Sequence, residues 1–417
     1  LSYLENSDLE IESTKFGISR SGEWGYFGVS VDNHESMYGI PYHGEHADEH
    51  GHDDHDDHGD DDHGDDDHDD HGDEHEGERI FSSTDQESFT IKGQYNVMGN
   101  LLKSVTYNYR DTDYELIEAH AEEEGHDDHD DHGDEHEEHA PTVFANDATE
   151  YGAIFDLSND NFIQKISLNF VDEDSSIVGE ESFMNPTNNE EFTLGYFVST
   201  DLDAFYLDAG FRIDQIERTG SVTDHDHGDI DNFTIDDDTN SFALTIGRDL
   251  SDSLDVNIGF ASVERLPSVI ELFMNGPHLA TGRLETGNPN LKSETSNNLD
   301  ISFNYDNGEF YAMASFYIND VDNYITLQDM IDDHDDHDDH DDHDDHDDHD
   351  DHDDHDDHDD HDDHDKEFAH LIKSNYLQQD AEFKGYELEI GRTFSLGSGD
   401  LTLSFARDDV DAEFSDG

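Results

Sequence analysis

The amino-acid sequence predicts an all-β protein, a transmembrane antiparallel up-and-down β-barrel, on three observations. Outside a few low-complexity tracts the dominant period is two, the runs are joined by alternately short and long connections, and no amphipathic helix exceeds a turn or two. Residues 203–216 show the period: Phe205, Leu207, Ala209, Phe211 and Ile213 share one face, and Tyr206, Asp208, Gly210, Arg212 and Asp214 the other. Successive side chains of a strand point to opposite faces, so this run is a strand with one apolar and one polar side. Val105, Tyr107 and Tyr109 repeat the pattern, as do Leu254, Val256, Ile258 and Phe260, and Leu299, Ile301, Phe303 and Tyr305. About fourteen such runs can be counted along the chain.

The connections sort by length. Short turns are predicted at 21–25, 97–101, 158–161, 199–203, 250–253, 306–309 and 396–400. Between them lie long excursions at 41–79, 118–147, 174–190, 220–239, 265–292 and 330–379. Tight turns on one side and long loops on the other are the pattern of an outer-membrane barrel, whose strands need about nine to eleven residues to cross. Trp24, Tyr26, Tyr107, Tyr109, Phe205 and Tyr324, near run ends, suit interfacial aromatic girdles. A soluble β-sandwich or solenoid also alternates, but its loops rarely sort so regularly. The polar second face points to a wide, wet lumen rather than a small packed barrel.

Composition narrows the chemistry. The 417 residues carry 113 acids, 18 bases, 32 histidines and no cysteine, a net charge of −95. No basic face is possible, so nucleic acid is excluded as a partner. Without cysteine there is no disulfide framework, thiolate zinc site or thiol nucleophile. There is no run of 18 apolar residues for a transmembrane helix, and the first residues have no signal-peptide pattern. A membrane protein with such a start, and an equally abrupt end, is expected to be a piece of a longer one.

Three tracts, 46–78, 118–139 and 332–365, hold 53 of the acids and 26 of the histidines and contain no Lys or Arg. The third is an unbroken Asp-Asp-His repeat, and a short echo, DHDHGDID, occupies 224–231. Such composition cannot bury a core, so the tracts are expected to be disordered insertions. Imidazole is a preferred ligand of zinc, copper and nickel, and carboxylate can complete their shells. A solvated brush would need only Asp and Glu, so the histidines favour divalent transition metal over that reading. His46, His50, His52 and His55 in the first tract, and His225 and His227 in the echo, are candidate ligands. The sequence contains no HExxH, Walker or GxSxG motif, so no enzyme is predicted.

Residues 259–295 read GFASVERLPSVIELFMNGPHLATGRLETGNPNLKSET. Arg265, Pro267, Glu271, Leu272, Gly276, His278, Ala280, Thr281, Gly287, Asn288, Pro289, Leu291 and Glu294 stand at the spacing of a signature of the TonB-dependent outer-membrane receptors, which this segment resembles. The His-x-Ala-Thr phrase and His-rich loops are similar to the zinc-receptor branch. Residues 25–46, with Tyr38, Gly39, Pro41 and His43, and residues 109–118, with Tyr114 and Glu118, resemble further elements of that branch; Leu116 stands where it has a histidine.

The resemblance spans 1–417 as one partial barrel domain. It implies a 22-stranded barrel whose plug, first strands and last strands are not in this chain. It further implies a location in the outer membrane of a Gram-negative bacterium, contact with outer-membrane lipid, and coupling to the TonB complex through the plug. It places His278 on the substrate path, Glu118 where a carboxylate would complete a site, and His43 at the mouth of the first loop. The expected cargo is zinc, with copper or nickel possible. The alternatives are a siderophore, metal-chelate or haem receptor of the same family, and a surface protein that buffers metal without transporting it. Arg265, Pro267, Gly287, Asn288 and Pro289 are expected to be architectural.

Overall fold

The computed structural model describes residues 7–40, 79–97, 99–121, 141–179, 182–223, 228–278, 281–330 and 371–415. They form a single sheet of sixteen strands. Fourteen are long: β1 (Leu9–Gly22), β2 (Gly25–Gly39), β3 (Arg79–Asn96), β4 (Ser104–Ala121), β5 (Thr142–Asp156), β6 (Ile163–Val178), β7 (Thr187–Leu202), β8 (Phe205–Thr223), β9 (Ile230–Ser251), β10 (Leu254–Arg265), β13 (Glu294–Asp306), β14 (Phe310–Asp329), β15 (Ile372–Leu396) and β16 (Gly399–Phe414). The excursion between β10 and β13 contains helix α1 (Val269–Phe273) and the hairpin β11 (Asn275–His278) and β12 (Arg283–Thr286). Each long strand pairs antiparallel with the next, and among the described long strands β1 and β16 are the edges, while the short β11 ends the branch that leaves β15 through β12.

The expected alternation of connections holds at five of the six excursions. Short turns fall at 23–24, 97–103, 157–162, 203–204, 252–253, 307–309 and 397–398, and the connections at the other end are longer except 224–229, which is as short as 157–162. Several excursions are shorter than expected. Strand β4 takes residues 118–121 of the second acidic tract, 174–190 shrinks to 179–186, 220–239 shrinks to 224–229 with β9 beginning inside the 224–231 echo, and 330–379 ends at 371. Above the membrane both faces of a strand are polar, so the period-two signal fades while the backbone ladder continues. One pairing also departs from an all-antiparallel sheet: β12 runs parallel to the start of β15. Tracts 46–78 and 332–365, and the rest of 118–139, lie outside the described residues.

The two faces are chemically distinct. One row in register runs Leu207, Ile246, Ile258, Ile301, Phe316 and Tyr386 across β8 to β15. The adjacent row on the other face reads Asn257, Ser302, Ser315, Glu387 and Asp408. The apolar row is uncovered: Ile258 is 50% and Phe316 47% exposed. A sandwich would bury that row under a second sheet, and every described strand belongs to this one. The apolar face therefore meets lipid, and the polar face lines the lumen.

The sheet curls strongly. From β6 to β15 is seven strand steps, which would separate the two by about 34 Å in a flat sheet. Yet His278 stacks on Phe183, in the β6–β7 connection, at 4.8 Å, and its hairpin partner Arg283 pairs with Ile372 at the start of β15. One short hairpin spans that gap only because the strands bend into a barrel wall. The excursion thus crosses the lumenal face at the long-loop end, and it brings the main buried core with it. Leu272 and Phe273 are fully buried against Ile177, Met184, Leu291 and Ile325, and a Cβ on Gly220 of the inner wall would overlap the Phe273 ring.

Charged clamps hold the excursion down. Arg265 donates two hydrogen bonds to Glu271, at 2.8 and 3.1 Å, and a third to Glu294 at 3.2 Å. Ser268 caps α1 by accepting from the Glu271 amide, while Glu271 accepts from the Ser268 amide at 2.6 Å. Arg218 of the wall donates to the Leu266 carbonyl at 3.0 Å and to Glu191 at 3.2 Å. Pro267 is fully buried, and Gly287 passes so close to Leu272 and Met274 that a side chain could not fit. Asn288 donates its amide to the Glu271 carbonyl and accepts from the Asn290 amide. At the far end β14 bulges at Asn323, whose φ of 56° is left-handed, and its amide donates to Asp380. Gln378 then bridges the backbones of Lys292 and Asn323.

Two predictions follow from this wall and its clamp. Phe316→Lys, facing lipid, should destabilise the membrane-inserted barrel by roughly 2–4 kcal/mol, whereas Ser315→Lys, facing the lumen beside Glu387, should cost less than about 1 kcal/mol. Equilibrium unfolding of the two variants in bilayers checks this, and equal losses would refute the assignment of faces. The second concerns acid. Burial pushes the Glu271 carboxyl up, but the Arg265 and Ser268 hydrogen bonds outweigh it and hold the pKa below the ordinary 4.5. The folded form thus binds this proton less readily than the unfolded one, so its stabilisation is present above pH 4.5 and fades as pH falls through the lowered value. Hydrogen exchange at Leu272 and Phe273, corrected for intrinsic rates, should accelerate in that window, and in Glu271→Gln it should be fast without that acid step.

Candidate functional site

The excursion carries one histidine, and the local fold explains its placement. Gly282, at a φ of 66°, leads the chain into β12, which pairs antiparallel with β11. In this hairpin His278 opposes Arg283, so Glu285, two residues further on, shares its face. His278 Nδ1 lies 3.0 Å from Glu285 Oε1. Thr281 Oγ1 is 3.0 Å from the same oxygen and 3.0 Å from the His278 carbonyl, so one hydroxyl hydrogen is shared between them. Phe183 stacks on the imidazole with 28° between the ring planes. The Glu285 side chain is 4% exposed and that of His278 30%. The carboxylate is therefore enclosed and the imidazole partly open to the lumenal mouth.

The hairpin is fastened at its other edge. Arg283 makes two contacts with Asp329, at 2.8 and 3.2 Å, and Ser374 donates to the same carboxylate at 2.8 Å. Those hydrogen bonds hold the Asp329 carboxyl below its ordinary range. Asp329 ends β14 and Ile372 begins β15, so the hairpin bridges the two strands between which the Asp-Asp-His tract leaves and returns.

Of the residues singled out from the sequence, Glu118 lies on β4 opposite Ser82 and Thr142, on the lumenal face. It reaches the same end of the wall as His278. Phe144, two residues from Thr142, packs on Phe183 at 5.9 Å, and Phe183 stacks on the histidine. His43, His46, His50, His52, His55, His225 and His227 lie outside the described residues. Among the described residues no three His, Asp or Glu side chains converge as a metal shell. Among the described residues His278 meets one carboxylate, that of Glu285, and a complete metal shell would need further groups. Glu285 escaped the sequence reading. Its signal was Thr281-Gly282 shortly after His278, a turn-forming pair that lets residues 278, 283 and 285 share a face.

The surroundings favour cations. On the outer face, above the apolar band, Glu87, Asp113, Asp147 and Asp174 face one another in register. Burial first, and then the charges of Asp113, Asp174 and Asp111, push the Asp147 carboxyl up. Such a rim creates a negative potential that concentrates cations at the loop end.

Comparison with known proteins accords with this architecture. The chain is similar to the FrpB iron transporter from Neisseria meningitidis (F3-3 variant), at 10% identity and a TM-score of 0.57, over 99% of this chain and 53% of that one. It is similar to the copper transporter OprC, at 12% identity and a TM-score of 0.54, over 99% and 63%. It is also similar to the ferric yersiniabactin uptake receptor FyuA from Yersinia pestis, at 11% identity and a TM-score of 0.54, over 98% and 52%. At these identities the likeness is one of fold, and the chain spans between about half and two thirds of each relative's length. The family model described as TonB dependent receptor-like, beta-barrel, matches residues 17–417, nearly the whole wall and the excursion that crosses it, and the chain belongs to that family.

Proposed function

We propose that this chain is the barrel part of a receptor that captures a divalent transition metal outside the cell and imports it. Zinc is the first candidate, and copper or nickel would suit the same ligands. Members of the family are outer-membrane transport proteins of Gram-negative bacteria rather than enzymes, which sets the location of the barrel. The observation that carries the metal reading is His278, a partly open imidazole held by Glu285 and Phe183 where the excursion crosses the lumenal mouth. The acidic, histidine-rich tracts would gather ions over that mouth, with His278 and Glu118 contributing to a tighter site lower down. Further ligands would come from a plug, through which the TonB complex would supply energy.

A haem, siderophore or metal-chelate receptor is the rival within the family, and the iron and yersiniabactin relatives illustrate it. Recognition of an anionic chelate calls for available cationic side chains. At the loop end Arg218, Arg265 and Arg283 are all engaged by carboxylates of the protein itself. Among the described residues that leaves Lys292 and Lys373 as the exposed cations of the loop end, a sparse set for an anionic chelate, and the likeness to a copper transporter is compatible with a bare cation.

Calorimetric zinc titration of the full-length receptor tests the reading. His278→Ala should weaken the tightest step roughly tenfold or more, since a tetrahedral shell has few ligands to lose. Deleting 332–365 should instead lower the number of ions bound and leave that step unchanged. Uptake of radiolabelled zinc by cells should require TonB, which a surface buffer would not. An unaltered tightest step in His278→Ala would remove the specific site and leave only loop capture.

A further inference from the structure

We infer that Glu285 is the positioning residue of this site, accepting the Nδ1–H of His278 and thereby presenting Nε2 as the atom that takes the metal. The inference rests on the reading of His278 as a ligand and adds a residue and an atom to it.

The argument begins with donors and acceptors. An ionised carboxylate only accepts hydrogen bonds, so the 3.0 Å contact between Glu285 Oε1 and Nδ1 requires the hydrogen on Nδ1. A neutral imidazole carries one hydrogen, which leaves Nε2 with its lone pair free. Stacking on Phe183 fixes the ring plane, and flipping the ring would put a carbon where Nδ1 meets the carboxylate. The hairpin makes the contact a property of the fold, because His278 and Glu285 are diagonal neighbours on one face.

Charge supplies the second strand of the argument. Glu285 is buried, and burying a carboxylate costs heavily unless it is compensated. Among the described residues its hydrogen-bond donors are His278 and Thr281, while the neighbouring Arg283 guanidinium is turned to Asp329. A cation bound at Nε2 would supply positive charge across the imidazole to this carboxylate. A carboxylate behind a ligating histidine also makes the imidazole more basic, which favours zinc, copper and nickel over hard cations.

The test uses full-length receptor with Zn²⁺ as the probe and ¹⁵N spectra of the His278 ring. In the metal-free wild type the ring should show the Nδ1–H tautomer, a readout that needs no variant to fold. Glu285→Gln keeps the shape, but its amide can turn and donate, so a mixture of tautomers should appear and zinc affinity should fall about ten- to a hundredfold. Thr281→Val removes the other bond to the same oxygen and should leave tautomer and affinity close to wild type, which a purely structural role for Glu285 would not predict. A wild-type ring dominated by Nε2–H, or a Glu285→Gln receptor unchanged in both readouts, would overturn the inference. If instead His278→Ala binds zinc like wild type, the capture reading fails on its own, and the metal-free ring spectrum still decides whether Glu285 sets the tautomer.

Discussion

The constraint on which the structure depends is that backbone polar groups in lipid must be satisfied within the protein. A meander of long antiparallel strands meets it for every strand held between two neighbours, which among the described long strands leaves only the outer sides of β1 and β16 unpaired. Everything else is arranged around that ladder. Apolar side chains take the lipid face, polar ones the lumen, and irregular chain is confined to the two ends. The short turns occupy one end and leave the other for long excursions, which is where chemistry can be placed.

The 266–293 excursion shows how a loop becomes a site on such a frame. It cannot bury its apolar residues in the wall, which has no interior, so it folds across the lumenal mouth and makes its own core from Leu272, Phe273 and Leu291 with the inner ends of the strands. Carboxylate–guanidinium clamps at Arg265 and Arg283, and the hydrogen bond from Arg218 to the Leu266 carbonyl, tie its start and its hairpin to the wall. A histidine on that hairpin inherits the rigidity of three anchored points. This separates His278 from the histidines of the low-complexity tracts, whose individual positions carry no defined geometry in the sequence.

Much of the wall was legible because lipid imposes a simple code. The alternation of Phe205 to Ile213, of Leu254 to Phe260 and of Leu299 to Tyr305 placed the strands and their faces correctly. The code weakened where lipid ends. Residues 118–121, 174–178 and 187–190 are strand, but their side chains are polar or mixed and read as loop. The parallel pairing of β12 with β15 had no sequence signal, because it joins segments 89 residues apart at Arg283 and Ile372.

What the sequence by itself determined is what local chemistry enforces: an all-β wall, two faces, most of the order of short and long connections, and the family signature of 259–295. What only the tertiary structure decided is which of those residues meet. The curl of the sheet brings the β6–β7 connection and the start of β15 to either side of one hairpin, so Phe183, His278, Glu285 and Asp329 share a corner that no spacing along the chain reveals. The reason is physical. Alternation is a property of neighbouring residues facing lipid or water, whereas a site in the lumen depends on the curvature summed over many strands.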